Sequence, residues 1–167
     1  CRKMKKNKIQ NITFTALMAA ILCITGPIVI PVGMVPLSFT NMAIYLIIIL
    51  FDKKQAVAST IVYLLIGMVG IPVFSGFSGG VGKLLGPTGG YLMGYLFLCW
   101  VAGTILEVSG KVKKKKKAFK QIFALGIGTI VVYFFGTIWL MYQSNLEFIE
   151  ALSIGVLPFI IFDAVKI

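Results

Sequence analysis

Long apolar runs closed by glycine, proline or lysine set the plan of this chain. A membrane-crossing helix needs about 20 apolar residues, fewer where it bends or packs in a bundle. The first run extends from about Ile9 to Thr25 and ends at Gly26-Pro27. A stretch punctuated by Pro27, Pro31 and Pro36, with Gly33 among them, follows. It is too apolar for a solvated loop and too rich in proline for a regular helix. Irregular backbone at membrane depth survives only where it is buried in protein or lines a cavity. The stretch therefore hints at a pocket.

The second run, Phe39 to Phe51, is short and leads into Asp52-Lys53-Lys54, and the third covers Gln55 to about Ile71. A glycine-rich connection comes next, and ten of the eighteen glycines fall between Gly67 and Gly94. The fourth run spans about Thr88 to Val108, with Pro87 near the first helical position that proline favours. After a lysine-rich stretch, the fifth runs from Phe119 to Tyr142. Leu146 to Ile154 reads as a short amphipathic segment, because Glu147 and Glu150 share a face at i,i+3 spacing. Pro158 opens a sixth run of only ten residues. A helix of that length reaches about 15 Å, half a hydrocarbon core. Further turns are expected beyond Ile167.

Composition agrees with the pattern. Of 167 residues, 59% are hydrophobic and 13% charged, about half the charged share usual in a soluble domain. The expected class is an all-α integral membrane protein, a single six-helix domain over residues 1–167. The net charge of +11 is not spread over a surface. Fourteen of the sixteen basic residues sit in three clusters: Arg2 to Lys8, Lys53-Lys54 and Lys111 to Lys120. Basic clusters flanking apolar runs report cytoplasmic loops. With the N-terminus inside, all three fall on the cytoplasmic side, and six spans bring the C-terminus back there. Nucleic acid is not the expected partner. The lipid bilayer is, and the Lys111 to Lys120 cluster suits anionic lipid. The proline stretch, the glycine-rich connection and the Glu147–Glu150 segment then face the exterior and together roof one ligand pocket.

Little of the chemistry suits an enzyme or a metal. There is no histidine, and the three cysteines show no paired spacing, so neither a zinc site nor a disulfide framework is expected. Cys1 as a lipidated terminus would export five nearby cations against the positive-inside rule, so the chain is expected to be continued ahead of it. Gly82-Lys83 is a near miss for a phosphate loop, with Phe77 where the first glycine belongs and Leu84 in place of Ser or Thr. The dinucleotide pattern fails as well, because Leu85 stands where the third glycine is due. An intramembrane enzyme would need a nucleophile with its base, and a proton-coupled carrier more than the single intramembrane Asp163.

Several polar groups do point to ligand binding. Asp163 and Lys166 lie three apart on one face of the last run. Desolvating a charge inside a bundle costs several kcal/mol, which makes such residues functional candidates. The alternative is a neutralising pair that only locks helices, or a Lys166 that snorkels to the inner interface. Lys83 is the one basic residue of the outer connections, either a solvated loop charge or the first contact of an anionic ligand. Ser38 and Thr40 either cap the second helix or face a pocket with Asn41. Ser78 is a further neutral donor. Gly86, Gly90 and Gly94 repeat every four residues and read as internal packing of the fourth span, with a pocket wall at Gly89 to Tyr91. Tyr91 is either an interfacial aromatic or a ring stacked on a ligand. Ala16 and Ala20 form another four-residue repeat of small residues, for docking a partner helix or for internal packing.

The run Leu84-Leu85-Gly86-Pro87-Thr88-Gly89-Gly90-Tyr91-Leu92 resembles the signature of the BioY family, the biotin-binding S components of energy-coupling-factor (ECF) vitamin transporters. Leu157-Pro158-Phe159 followed by Asp163 and Lys166 is similar to the opening of that family's last helix. Val35 to Asn41 resembles its Pro-x-Thr-x-Gln element, but Thr40 replaces the glutamine, and Asn41 stands one position later. The resemblance implies a multi-pass subunit of a bacterial cell membrane that binds biotin. It implies that Asp163 and Lys166 belong to the biotin site. It further implies that Ala16 and Ala20 dock a transmembrane coupling protein, the T component, and that two ABC ATPase subunits supply energy. No cofactor is expected in this chain, since ATP would be used by those partners. Alternatives are an S component for another small anionic vitamin, a proton-coupled small-molecule carrier, or a structural subunit.

Overall fold

The computed structural model describes residues 8–30, 37–108 and 114–156. The heart of the proline stretch, and the last run with Asp163 and Lys166, lie outside the described residues. The chain begins with α1 (Lys8–Thr25), a two-residue strand β1 (Val29–Ile30) and its partner β2 (Leu37–Ser38). Then come α2 (Thr40–Leu50), α3 (Lys53–Met68), the short α4 (Val81–Leu84), α5 (Gly89–Val108), α6 (Lys114–Ser144) and α7 (Phe148–Gly155). The strands pair antiparallel, Val29 opposite Ser38 and Ile30 opposite Leu37. Among the described residues, three helices are long and apolar enough to cross a membrane: Lys8–Thr25, Gly89–Val108 and the Ala118–Ser144 portion of α6. Thr40–Leu50 is a shorter apolar helix.

The sequence expectations match four of these helices to within a residue or two at most ends. Two differences have physical causes. The third run stops at Met68 rather than near Ile71, because the chain turns back over its own helix end. Gly80 N–H donates to Gly67 O at 2.7 Å, and Phe74 lands where a Gly67 side chain would be, its ring 2.0 Å from an added Cβ. Any larger residue at 67 would expel that ring. Second, α6 starts five residues earlier than the apolar run, at Lys114. Lysine is a good helix former, and 31 residues reach about 46 Å, well beyond an approximately 30 Å core. The portion apolar enough to cross a membrane is Ala118–Ser144, which leaves the lysine turn outside it. In α7, Glu147 is the residue before the helix rather than part of its face, and only Glu150 lies in the first turn.

Polar ties sort the helix ends into two groups. At one end, Gln55 Nε2 donates to Asn11 Oδ1 at 3.1 Å, and Ser59 Oγ lies 3.1 Å from Thr15 O, joining the starts of α1 and α3. Lys53 Nζ meets Glu107 at 3.6 Å and Thr104 Oγ1 at 3.3 Å, joining the start of α3 to the finish of α5. With the two side chains 24% and 47% exposed, that ion pair contributes at most about 1 kcal/mol. At the other end, Tyr63 Oη donates to Val73 O at 3.2 Å, and Trp139 Nε1 donates to Gly86 O at 2.9 Å. Basic residues 8, 53, 54 and 114–117 thus gather at the first end.

Between the ends lies a core of Leu22, Ile44, Ile47, Leu98, Leu125, Val132 and Leu140, all essentially buried. Apolar side chains such as Leu50, Trp100, Ile130 and Phe134 point outward, which suits a lipid surround. Within the core, α5 and α6 approach through glycine. An added Cβ at Gly90 would lie 2.3 Å from Trp139 Cβ and 2.8 Å from Phe135 O; at Gly94 it would lie 3.2 Å from Val132 Cα. Gly90 and Gly94 are helix packing, as the spacing indicates, but Gly86 is not: it lies in the turn ahead of α5, and an added Cβ there would first meet Gly82 O and Lys83 O of its own turn.

Gly90→Ala is expected to push these helices apart and cost about 1–3 kcal/mol, read as a lower unfolding midpoint in detergent. Gly82→Ala is the control, since nothing lies within 4 Å of its added Cβ. Equal midpoints for the two variants would contradict the close approach.

Candidate functional site

The end opposite the lysines holds three pieces of irregular or helix-terminal backbone: the β1–β2 pair leading into α2, the loop between α3 and α4, and the Pro-Thr-Gly-Gly entry to α5. Each leaves polar groups where regular helix would consume them. Thr40 N–H donates to Ser38 Oγ at 3.0 Å, and the Ser38 and Thr40 hydroxyls bond each other. Ser38 therefore satisfies an N–H at the start of α2, but the N-cap itself is Phe39, which makes no side-chain cap bond, and Thr40 is the first helical residue rather than a cap. Asn41 is buried in the same turn, 9% exposed.

Ser78 closes the loop rather than hanging from it. Its hydroxyl donates to Ser75 O at 2.7 Å, and its carbonyl accepts from Phe74 N–H at 2.9 Å. Phe74 in turn is fully buried and meets Tyr63 edge to face at 5.5 Å. The loop is thus anchored by an aromatic plug. Lys83 sits half-buried in α4 and has no ion-pair partner among the described residues. Gly89 carries no side chain because α4 ends on it: an added Cβ would fall 1.7 Å from Leu84 O.

Tyr91 is 8% exposed and lies between three helices. Its ring occupies the space a side chain at Gly136 of α6 would need, 2.3 Å from an added Cβ. Its hydroxyl donates to Gly155 O at 3.0 Å. The start of α5 is thereby tied to the finish of α7, one residue before the chain enters the segment that carries Asp163 and Lys166. Ser38, Asn41, Ser78, Lys83, Gly89 and Tyr91 all belong to this end of the molecule. Ala16 and Ala20 do not join them: both are exposed on α1, beside the exposed Ile12, Leu17 and Ile24.

Sequence reasoning passed over Thr88. It stands at the N-cap of α5, a position where threonine is an ordinary choice, so its presence alone drew no notice. Its Oγ1 is buried and has no hydrogen-bond partner among the described residues. Among the described residues no group of three or more His, Cys, Asp or Glu is placed to hold a metal ion. What this end offers is hydroxyls, an amide, a cation and apolar walls. That inventory suits reversible binding of a small polar-headed molecule.

The family model described as the BioY family matches residues 3–167. Biotin transporter BioY2 of Lactococcus lactis subsp. cremoris is 32% identical over 163 residues, covering 98% of this chain and 87% of its own. The probable biotin transporter BioY of Pyrococcus horikoshii is 34% identical over 159 residues, 95% of this chain and 90% of its own. The fold is similar to the crystal structure of the S-component for biotin from an ECF-type ABC transporter, with a TM-score of 0.87 and 30% identity over 99% of this chain and 88% of that one. The chain belongs to the BioY family.

Tyr91→Phe keeps the ring against Gly136 but leaves Gly155 O without its donor. An unfolding midpoint lowered by the equivalent of about 1–3 kcal/mol is expected. An unchanged midpoint would mean that the α5–α7 tie is not made.

Proposed function

We propose, from membership of the BioY family, that this chain is the biotin-binding S component of an ECF-type uptake transporter. The strongest support is the structural match over 99% of the chain to an S-component for biotin. Biotin carries two ureido N–H donors and a carbonyl acceptor, an apolar bicycle, and a valerate chain ending in a carboxylate. An ionised Asp163 accepts from the ureido N–H groups, a charge-assisted bond stronger than a neutral one. Lys166 and Lys83 are the cations for the carboxylate. Ser38, Asn41 and Ser78 add neutral hydrogen bonds, while the walls around Gly89 and Tyr91 face the apolar part.

The proposed topology has six spans with both termini on the cytoplasmic side of a bacterial cell membrane. Gathering of the basic residues at one end of the bundle supports it, because cytoplasmic loops are the ones enriched in Lys and Arg. Biotin then enters from the opposite, exterior face. Transport work falls to partners, namely a T component and two ABC ATPases that use ATP. The exposed Ala16 and Ala20 on α1 support a helix-docking role, since small residues four apart let a second backbone approach closely.

Purified protein is expected to retain labelled biotin. Asp163→Asn should weaken that retention about 10- to 150-fold, the equivalent of about 1.5–3 kcal/mol for a charged hydrogen bond. Absence of retention by the parent protein would refute the ligand assignment, and wild-type retention by the variant would refute the role of Asp163.

Ala16→Leu and Ala20→Leu should leave biotin retention intact, because the added carbons of both variants meet only lipid in the isolated subunit. Co-purification with the T component should fall. Should retention and assembly fail together in well-expressed protein, the two alanines are internal packing.

A further inference from the structure

Thr88 occupies the N-cap of a 20-residue helix without capping it. Its carbonyl accepts from Tyr91 N–H at 3.2 Å and Leu92 N–H at 3.3 Å, the backbone role of an N-cap. A threonine so placed normally turns its hydroxyl onto the second or third helical N–H. Here Oγ1 makes no such bond and has no partner among the described residues, although the residue is only 8% exposed. Three of the other four buried threonines solve the same problem locally, while Thr137 Oγ1, inside α6, is like Thr88 without a hydrogen-bond partner among the described residues. Thr60 Oγ1 donates to Ala56 O at 2.9 Å, Thr129 Oγ1 to Leu125 O at 2.8 Å, and Thr40 bonds Ser38. Both Thr60 and Thr129 lie inside helices, where the carbonyl four residues back is in reach. Thr88 lies ahead of its helix, and the equivalent carbonyl, that of Leu84, is instead pressed against Gly89.

Leaving a buried hydroxyl unsatisfied is costly, and a valine would fill the same volume without that cost. Retention of a hydroxyl here calls for a partner that comes and goes. Two features indicate its charge. The N-terminus of α5 carries the positive end of the helix dipole, and α5 has no acidic residue in its first turn. Half-buried Lys83 stands five residues earlier in α4, without an ion-pair partner among the described residues. The geometry points to Thr88 Oγ1 as the hydrogen-bond donor to the carboxylate of the bound ligand, seated at the N-terminus of α5 with Lys83 as the accompanying cation.

This assignment rests on the biotin-binding reading above, so parent and variants are compared with two probes: biotin, and biotinol, in which a neutral CH2OH replaces the carboxylate. Thr88→Val should raise the Kd for biotin about tenfold, or about 1.4 kcal/mol, and leave the Kd for biotinol near that of the parent. Thr88→Ser, which keeps the hydroxyl, should bind biotin within about threefold of the parent. Without ligand, the unfolding midpoint of Thr88→Val should equal or exceed that of the parent. A lower midpoint, or a variant that cannot be purified folded, would show that the hydroxyl serves the protein itself and would overturn the inference. So would wild-type biotin affinity in Thr88→Val, or equal losses for biotin and biotinol. If the parent retains no biotin, it is the reading of the pocket that fails, and the inference falls with it.

Discussion

Close packing of α5 against α6 is the constraint on which the rest depends. Lipid tails are as apolar as leucine, so helices in a membrane gain little from mere burial and must gain from contact. Contact here requires positions with no side chain. Gly90 and Gly94 on α5 face Trp139 and Val132 of α6, and Gly128 on α6 receives Leu98 of α5, whose Cδ1 lies 2.4 Å from an added Cβ. The reciprocal arrangement lets each helix insert a bulky residue where the other offers none. Polar ties then fix the depth of insertion: Tyr45 Oη donates to Thr129 Oγ1 at 2.6 Å, drawing α2 onto the same pair.

The same device builds the end opposite the lysines. Phe74 fills the place above Gly67, and Tyr91 fills the place beside Gly136. In both cases a ring replaces a missing side chain, and a hydroxyl fixes a nearby carbonyl: Tyr63 to Val73 O, Tyr91 to Gly155 O. Irregular backbone is thereby held by buried aromatics, not by loop length. That is the condition under which non-helical chain persists at membrane depth.

Legibility in the sequence follows the range of each interaction. Helices α1, α2, α5 and the apolar part of α6 were legible because one dimension of hydrophobicity, punctuated by Gly, Pro and Lys, determines them. Gly90 and Gly94 were legible as packing, because a four-residue spacing describes a helix face, whereas Gly86 shares the spacing but falls in the turn before the helix begins. Pairing of Val29–Ile30 with Leu37–Ser38 was not, since strands of two residues carry no periodicity. Nor was the early stop of α3, which depends on Phe74 returning six residues after Met68. In the candidate site, Lys83 and Tyr91 were legible as residue types, but the partner of Tyr91 is 64 positions away. Thr88 shows the limit most plainly. Threonine before a helix reads as a cap in any sequence, and only the absence of a capping bond makes it informative.

Charge and strain are segregated along the bundle, and each end depends on the other. At one end Lys53 meets the Thr104 hydroxyl and the Glu107 carboxylate, so the start of α3 and the finish of α5 stay in register. That register sets how far α5 extends toward the opposite end, and hence where Thr88 and Tyr91 stand. Tyr91 passes the register on to α7 through Gly155 O. The finish of α7 is therefore held to the start of α5. Residues 83–91, from α4 through the entry to α5, thus lean on α5 and on the α6 side chains packed against it.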